Sequence, residues 1–302
     1  WGSNSYGKLG INSTVTVRSS PVQVGASTWT AVTIQGNQTF ALRSDNTLWG
    51  WGLNTNGQLG QNDVTARSTP TQVGVYSWNA IGCGTSFTTA VRADGALFTW
   101  GINTNGQLGQ NDTSDRSSPV QVGTSSWTFV KGGDNFAFGI LSTGALYAWG
   151  NNSSGQLGIG SAVSRSSPVQ VGTSSYSQVS AGNSHTLAID TTSLLYAWGK
   201  TPANGQSVNT SSPIQIGSLQ NWQEVQASSS ISHMIKNDGT LWASGYNIYG
   251  QLGLNDTTAR SSPTQVGNLT TWKKVSSGQY NGAAIKTDGT LWIWGLNTNG
   301  QL

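Results

Sequence analysis

The phrase WGLNTNGQLGQND at residues 51–63 returns as WGINTNGQLGQND at 100–112 and as WGNNSSGQLGIGS at 149–161. Full or weaker copies open at seven points of the chain, which are Trp1, Trp51, Trp100, Trp149, Trp198, Ser244 and, as a partial copy, Trp294. Successive copies begin 46 to 50 residues apart. This period is the length of one β-propeller blade. The repeat therefore predicts one closed array, a single domain over 1–302, rather than several domains.

Each period contains four short segments that alternate apolar and polar residues, as half-buried strands do. In the copy at 29–74 they are WTAVTI (29–34), TFALRS (39–44), TLWGWG (47–52) and STPTQV (68–73). No apolar period of 3.6 residues is sustained, so very little helix is expected. The predicted fold class is all-β, a β-propeller of four-stranded antiparallel blades, with six repeats in this chain and six or seven blades when complete.

Two turn signatures recur between the predicted strands. The second and third strands are joined at Asp45-Asn46, Asp94-Gly95, Asp238-Gly239 and Asp288-Gly289. Such pairs are typical of two-residue hairpins whose central residues have positive φ, so these aspartates are interpreted as turn formers. After the third strand comes a glycine-rich link, with Asn56-Gly57, Asn105-Gly106, Asn204-Gly205 and Asn299-Gly300. Glycine there permits backbone angles that other residues reach only with strain.

The composition excludes several classes of function. Charged residues are only 8% of the 302, and the formal net charge is +3. A polar surface with so little charge attracts nucleic acid and anionic lipid weakly, so no nucleic-acid partner is expected. No apolar run approaches the ~20 residues of a transmembrane helix, so no membrane span is expected. The single cysteine, Cys83, excludes an internal disulfide framework.

The order of elements resembles the regulator of chromosome condensation repeat family over essentially the whole chain. The most specific segment, WG-x-N-x-x-GQLG, is seen at 51–60, 100–109, 149–158 and 294–302, and a Pro-x-x-Val strand is the last element of the pattern. The repeat at 198–216 departs from the pattern, with Ser207 in place of leucine, and is predicted to have a shortened loop. The family histidine is matched only by His185. The resemblance implies a propeller of seven-bladed type and, as a function, guanine nucleotide exchange or chromatin binding.

Two closures of the ring are open at this point. In a six-bladed ring, Ser19 to Val24 would complete the sheet begun by residues 272–295, a shared strand that leaves no open edge. Seven periods of ~49 residues would need about 40 residues more than the 302. We favour the second closure, in which this sequence is an excerpt of a longer, seven-bladed polypeptide.

The fourteen tryptophans follow the repeat and are interpreted as packing between blades. One set is Trp29, Trp78, Trp127, Trp222 and Trp272, with Tyr176 at the same position, and the other is Trp51, Trp100, Trp149, Trp198 and Trp294. The alternative is a tryptophan-based ultraviolet sensor, since the plant ultraviolet-B receptor is similar to this family. That receptor uses a G-W-R-H-T type motif, whereas this chain has GWGLN at 50–54, which disfavours the sensor.

Arginine residues also recur with the period of the repeat. An arginine precedes the proline of the fourth strand by three residues in five repeats, at Arg18, Arg67, Arg116, Arg165 and Arg260. Equivalent positions of a closed array lie on one rim, so a ring of guanidinium groups is expected. Either each arginine pairs with a loop acid, among them Asp63, Asp112, Asp115 and Asp256, or the ring is a contact surface for anions or glycan carboxylates.

Catalytic chemistry has little support in the sequence. His185 and His233 lie in different repeats without metal-ligand spacing, Glu224 is the only glutamate, and Cys83 has no partner cysteine. The nucleophile elbow and the phosphate-binding loop are both missing from the sequence. We therefore expect no cofactor, no metal and no catalytic residues, and interpret His185 and Cys83 as packing residues inside blade interfaces. A site built from loops of several blades remains the alternative.

The sequence as a whole predicts a non-enzymatic interaction scaffold that binds a protein or glycan partner through rim loops. Low charge, richness in Gly, Ser, Thr and Asn, and N-x-[ST] triplets such as those at Asn12 and Asn111 favour an extracellular, cell-surface or virion-associated protein. The competing hypothesis is the intracellular exchange factor or chromatin adaptor that the resemblance implies. Against it, the sequence has neither a basic tail nor a long insertion between repeats.

Overall fold

The computed structural model describes residues 1–13, 15–200, 208–218 and 220–302. In this part of the chain the strands are β1 (Gly2–Ser3), β2 (Val17–Arg18), β3 (Trp29–Gln35), β4 (Gln38–Arg43), β5 (Thr47–Gly52), β6 (Arg67–Cys83), β7 (Phe87–Arg92), β8 (Leu97–Gly101), β9 (Arg116–Gln121), β10 (Trp127–Gly132), β11 (Phe136–Leu141) and β12 (Ala145–Gly150). They continue as β13 (Arg165–Ala181), β14 (His185–Asp190), β15 (Leu195–Gly199), β16 (Thr210–Gln215), β17 (Trp222–Ser228), β18 (Ile231–Lys236), β19 (Leu241–Gly245), β20 (Arg260–Gln265), β21 (Trp272–Ser277), β22 (Asn281–Lys286) and β23 (Leu291–Gly295). The helical content of these residues is one 3₁₀ turn at Ser5–Gly7.

The strands form antiparallel blades, as predicted. Blade 1 is β3-β4-β5 with the first half of β6, blade 2 is the second half of β6 with β7-β8-β9, and blade 3 is β10-β11-β12 with the first half of β13. Blade 4 is the second half of β13 with β14-β15-β16, blade 5 is β17-β18-β19-β20, and blade 6 has the three strands β21-β22-β23. β1 and β2 form a separate two-stranded sheet before blade 1. The sequence therefore indicated the fold class and the blade order correctly.

Two strands are longer than predicted because each serves two blades. In β6, Arg67 pairs with Gly52 of blade 1, whereas Cys83 pairs with Thr88 of blade 2. β13 makes the same passage from blade 3 to blade 4. The connection between the two halves is not fully extended, because Gly74 and Gly172 have φ values of 59° and 57° and the pairing with the third strand shifts register there.

The hairpins between second and third strands differ from the predicted geometry at one residue. The second residue of each turn has positive φ, with Asn46 at 63° and Gly95 at 88°, but the aspartate before it does not. The carboxylate acts instead as a hydrogen-bond acceptor, since Asp94 Oδ1 accepts the backbone N–H of Ala96 at 3.1 Å. These aspartates are turn formers, as predicted, through an Asx-type bond rather than through left-handed backbone.

The apolar core lies between blades. One cluster joins Leu48 and Val73 of blade 1 to Trp78, Phe98 and Trp100 of blade 2. Equivalent clusters join the later blades, and the leucine at the first or second residue of the third strand is fully buried in each of the first five blades. A blade with a neighbour on each side buries apolar residues against both neighbours, and this packing stabilises a repeat array.

The two ends of the chain meet beside blade 6. The Trp1 indole donates to the Gln301 carbonyl at 3.2 Å, and Gly300 lies next to Ser19. The shared strand of a six-bladed closure does not form among the described residues, because β23 pairs only with β22 and β2 pairs with β1. The predicted short loop of the 198–216 repeat, including Asn204-Gly205 and Ser207, lies outside the described residues.

Candidate interaction surface

One face of the propeller carries the links between third and fourth strands and the turns between first and second strands; we call it the link face. The links of blades 1, 2, 3 and 5 are each held by a buried asparagine. Asn54 accepts the backbone N–H of Leu59 at 2.8 Å and donates to the Asp63 carbonyl at 3.0 Å. Asn103, Asn152 and Asn247 repeat these bonds. The recurring asparagine fixes the turn, and its neighbours in sequence are presented to solvent.

In several links a glycine allows neighbouring sheets to approach closely. Gly57 has a φ of 71°, and a Cβ there would lie 2.5 Å from Ser117 Cα in blade 2. Gly7, Gly106 and Gly300 meet the equivalent serine of the following sheet in the same way. The link is therefore a blade-to-blade contact, which explains why it recurs with so little change.

The tryptophans of the second repeat position pack between blades, as predicted. Trp100 and Trp149 are fully buried, and each indole donates to a carbonyl in the link of the preceding blade, those of Gln58 and Gln107, at 2.9 Å. Trp51, Trp198 and Trp294 make the same bond at 2.8 to 3.0 Å. The repeated motif is thus a packing and hydrogen-bonding device.

The rim arginines do lie on the link face, at the first residue of the fourth strands. Three are paired with the carboxylate four residues earlier, Arg67 with Asp63 at 2.5 Å, Arg116 with Asp112 at 2.6 Å and Arg260 with Asp256 at 2.5 Å. Asp115 instead accepts the backbone N–H of Asn103 at 2.8 Å. Arg165 has Ser161 at the position of the acid, and Arg18 has Thr14. Pairing neutralises three of the five guanidinium groups, which favours the structural account of the arginines.

Removal of two paired arginines is expected to have a small effect. The double variant Arg67→Ala with Arg116→Ala removes two partly exposed ion pairs. The loss of each pair should lower the free energy of unfolding by no more than about 1 kcal/mol. Thermal unfolding measures this, and retention on immobilised heparin measures anion binding, which should stay close to wild type. Loss of retention at moderate salt would support the alternative of an anion-binding ring.

The remaining candidates for chemistry are separated and buried. His185 Nε2 lies 3.0 Å from Ser232 Oγ between blades 4 and 5, and burial lowers the pKa of His185 to about 4. Burial also raises the pKa of the Cys83 thiol to about 12, which keeps it protonated and unreactive. Both residues are packing residues inside blade interfaces, as predicted. Among the described residues, no group of three His, Cys, Asp or Glu side chains could hold a metal ion.

A central channel of about 890 Å³ runs between the first strands of the blades. Its lining combines apolar side chains, such as Leu9, Val32 and Ile34, with hydroxyl and amide groups, and among the described residues Lys8 and Lys131 are its lysines. Burial lowers the pKa of both lysines. Lys8 Nζ donates to Asn37 Oδ1 at 3.0 Å, so the side chain serves the contact between adjacent sheets.

The link face departs most from the repeat in the sector formed by Tyr246, Ile248, Tyr249 and Tyr280; we call it the aromatic sector. The link of blade 5 reads YNIYGQLG where blade 1 has LNTNGQLG. The turn of blade 6 holds Tyr280 where the other five turns hold asparagine or serine. The Tyr249 and Tyr280 rings meet edge to face, with centroids 5.3 Å apart. All four side chains are more than a third exposed.

Sequence reasoning missed the aromatic sector because it looked for what recurs. The available signal was the opposite one, namely apolar residues at positions where the other copies are polar. Tyr249 and Tyr280 are 31 residues apart in the sequence. Only the structure shows that these two side chains are in contact. No ionised side chain belongs to the sector.

Two models of the regulator of chromosome condensation (RCC1) repeat match this sequence. One matches residues 45–91, 94–140, 143–189 and 238–285, more than half of the chain, and the other matches 78–107, 127–156, 176–206 and 272–301. The chain belongs to the RCC1 repeat family. A comparison with curated proteins finds no match.

Several solved structures share this fold at low sequence identity. Human WBSCR16 gives a TM-score of 0.83 at 20% identity over 93% of this chain and 79% of its own. Yeast RCC1 (Prp20), solved bound to Kap60, gives a TM-score of 0.85 at 19% identity, over 99% of this chain and 78% of its own. The CRINKLY WD40 ectodomain of the Arabidopsis thaliana receptor kinase ACR4 gives a TM-score of 0.60 at 15% identity, over 90% of this chain and 81% of its own. At these identities the similarity shows the fold alone, and the binding partners of these proteins are not assigned to this chain.

Proposed function

We propose that this RCC1-repeat propeller is a non-enzymatic scaffold that binds a protein partner through the aromatic sector of its link face. The observation that supports the proposal is the contact between two independent departures from the repeat, Tyr249 in blade 5 and Tyr280 in blade 6. Packing does not require them, because the Tyr249 position holds half-buried Asn56, Asn105 and Ser154 in blades 1 to 3 and the Tyr280 position holds asparagine or serine in the other five turns. Exposed aromatic side chains that are rigidly held are typical anchors of protein interfaces.

The chemistry of the sector favours a partner surface of low charge. Tyr246, Tyr249 and Tyr280 offer rings and hydroxyl groups, and the Gln279 amide donates to the Tyr280 hydroxyl at 2.9 Å. Arg260, at the start of β20 in the same blade as Tyr249, is neutralised by Asp256. A glycan is the second candidate, since rings beside amides also suit a sugar.

We further propose that the protein works outside the cytoplasm, at a cell surface or on a virion. What supports this is the composition, with 8% charged residues and a polar, hydroxyl-rich surface. The ACR4 propeller is described as a receptor-kinase ectodomain, so the fold is compatible with such a setting. The described residues include no helix long and apolar enough to cross a bilayer.

The aromatic sector can be tested with residues that the repeat itself supplies. In the double variant Tyr249→Asn with Tyr280→Ser, each new residue is the one found in other blades, so the fold should be retained. Affinity for a partner captured from cell-surface or culture-fluid proteins, measured by surface plasmon resonance, should fall by at least about tenfold. A glycan array probed with both proteins tests the second candidate.

The matched control is Tyr6→Asn, because Tyr6 occupies the position of Tyr249 in the first link and is also exposed. This variant should bind as wild type does. Unchanged binding of the double variant would contradict the proposal. Stimulated nucleotide release from a small GTPase would favour the competing exchange-factor hypothesis.

A further inference from the structure

Two aromatic rings meet edge to face in each of the six blades; we call them the ring pair. One ring lies at the start of the first strand of the blade and the other lies in its third strand. In blade 3 they belong to Trp127 and Tyr147, with centroids 5.7 Å apart and planes at 79°. The other pairs are Trp29–Trp49, Trp78–Phe98, Tyr176–Tyr196, Trp222–Trp242 and Trp272–Trp292, with centroids 5.6 to 6.4 Å apart.

In four blades a basic side chain from the end of the second strand covers the ring pair. Lys236 Nζ in blade 5 lies 4.9 Å from the ring centroid of Trp222 and 3.8 Å from that of Trp242. The same position holds Lys286 in blade 6, Arg43 in blade 1 and Arg92 in blade 2, each with its charged group 3.9 to 5.3 Å from a ring centroid. Ring faces attract a cation at such distances. The repeat itself therefore uses the ring pair as a cation site.

Blade 3 has the ring pair without the cation. Leu141 ends its second strand and is the backbone partner of Trp127. Within the described part of the chain, no basic side chain lies over Trp127 or Tyr147. In blade 4 the position holds Asp190, whose Oδ1 accepts two backbone N–H groups of its own hairpin at 2.8 and 2.9 Å. The acid of blade 4 thus serves a turn, whereas the leucine of blade 3 leaves the rings uncovered.

A cleft of about 300 Å³ lies over the uncovered ring pair, between blades 2 and 3. The described residues that line it carry no charge and include Trp127, Leu141, Tyr147, Val122, Ser125 and Pro168. In blade 2 the equivalent space is filled by Arg92 and by Tyr76, over whose ring the guanidinium lies. Blade 3 has Leu141 and Ser125 at these two positions. The two smaller side chains explain why the space is open in blade 3.

We infer that this cleft binds a quaternary ammonium group. The rings of Trp127 and Tyr147 hold the cation in the way that the ring pair of blade 5 holds the Lys236 ammonium. A quaternary group fits better than a primary one, because it has no N–H donors and a cleft with apolar walls offers few acceptors. The cleft lies between blades 2 and 3, so the inference is independent of the aromatic sector.

The test titrates the folded protein with choline and with 3,3-dimethylbutan-1-ol, which has the same shape and no charge. Broadening of the methyl signal of each ligand gives its affinity, and shifts of the Leu141 methyl signals locate the site. Choline should bind at least about tenfold more tightly than the alcohol, because only the cation is attracted by the ring faces. Equal affinities would overturn the inference and assign the cleft to apolar ligands.

The repeat supplies the matched variants. Leu141→Arg places in blade 3 the residue of blades 1 and 2, so the fold should be retained and the affinity for choline should fall at least about tenfold. The reverse exchange in blade 2, Tyr76→Ser with Arg92→Leu, should open a second choline site.

A short peptide that carries trimethyllysine is titrated in parallel. Tighter binding of the peptide than of choline would assign the quaternary group to a modified protein, and weaker binding would assign it to a small molecule. Unchanged affinity for choline in the Leu141→Arg variant would place the ligand elsewhere and overturn the inference.

Discussion

Replacing Trp100 with alanine is expected to lower the free energy of unfolding by about 3 to 5 kcal/mol. The side chain is fully buried and packs against Trp78 and Phe40, with ring centroids at 6.0 and 6.2 Å. Its indole also donates to the Gln58 carbonyl, so the truncation leaves a cavity and an unpaired acceptor between blades 1 and 2. Chemical or thermal unfolding measures the loss.

The control for Trp100 is Trp292→Ala, because Trp292 lies in the same kind of strand but is about half exposed. It should cost far less stability than Trp100→Ala. Equal effects of the two variants would contradict the interpretation of the recurring tryptophan as the main packing device between blades.

Acidification from pH 7 to pH 4.5 is expected to destabilise the protein through two histidines. Burial lowers the pKa of both His185 and His233 to about 4, against an ordinary value of 6.5. Between these values the unfolded chain takes up protons and the folded chain does not, so the free energy of unfolding falls as the pH falls. At pH 4.5 each histidine should contribute a loss of about 2 to 3 kcal/mol.

The repeat supplies the matched variants for this experiment. Phe87 and Phe136 occupy the position of His185, and Phe40 and Phe138 occupy that of His233. In the double variant His185→Phe with His233→Phe, stability should change little between pH 7 and pH 4.5. Carboxylates with lowered pKa values, such as Asp94 at about 2, act only at lower pH. An equally steep loss in the double variant would show that other groups cause it.

Most of the fold was predictable because folding constraints act on every copy of the repeat. The tryptophan at 51 or 100, the asparagine at 54 or 103 and the glycine at 57 or 106 meet the same neighbours in successive blades. The assignment of β6 to two blades was not predictable, since Gly74, with a φ of 59°, turns the backbone while Ser77 still pairs with Thr47 of blade 1. The Asx-bonded hairpins were assigned correctly and their backbone angles were not, because Asp-Asn and Asp-Gly pairs suit more than one turn type.

The candidate site was less predictable for a physical reason. Repetition marks what the blades need from one another, and a partner-binding surface needs to occur only once. The arginines recur because Arg67 and Arg116 hold the loops that follow Asp63 and Asp112. Tyr280 occurs in one turn only, the Tyr249 position has one other tyrosine, Tyr6, and the pairing of Tyr249 with Tyr280 depends on the packing of blade 5 on blade 6.

Site-specific photo-crosslinking tests the central claim most directly. A photoreactive phenylalanine analogue is placed at residue 249 in one protein and at residue 105, the same link position in blade 2, in another. Both proteins are exposed to the same cell-surface proteins. The protein labelled at residue 249 should form a strong crosslink to one partner, and the Tyr280→Ser change should reduce the yield of this crosslink. The protein labelled at residue 105 should form little crosslinked product. Equal crosslinking at both positions would show that the partner binds the repeated surface and would contradict the account.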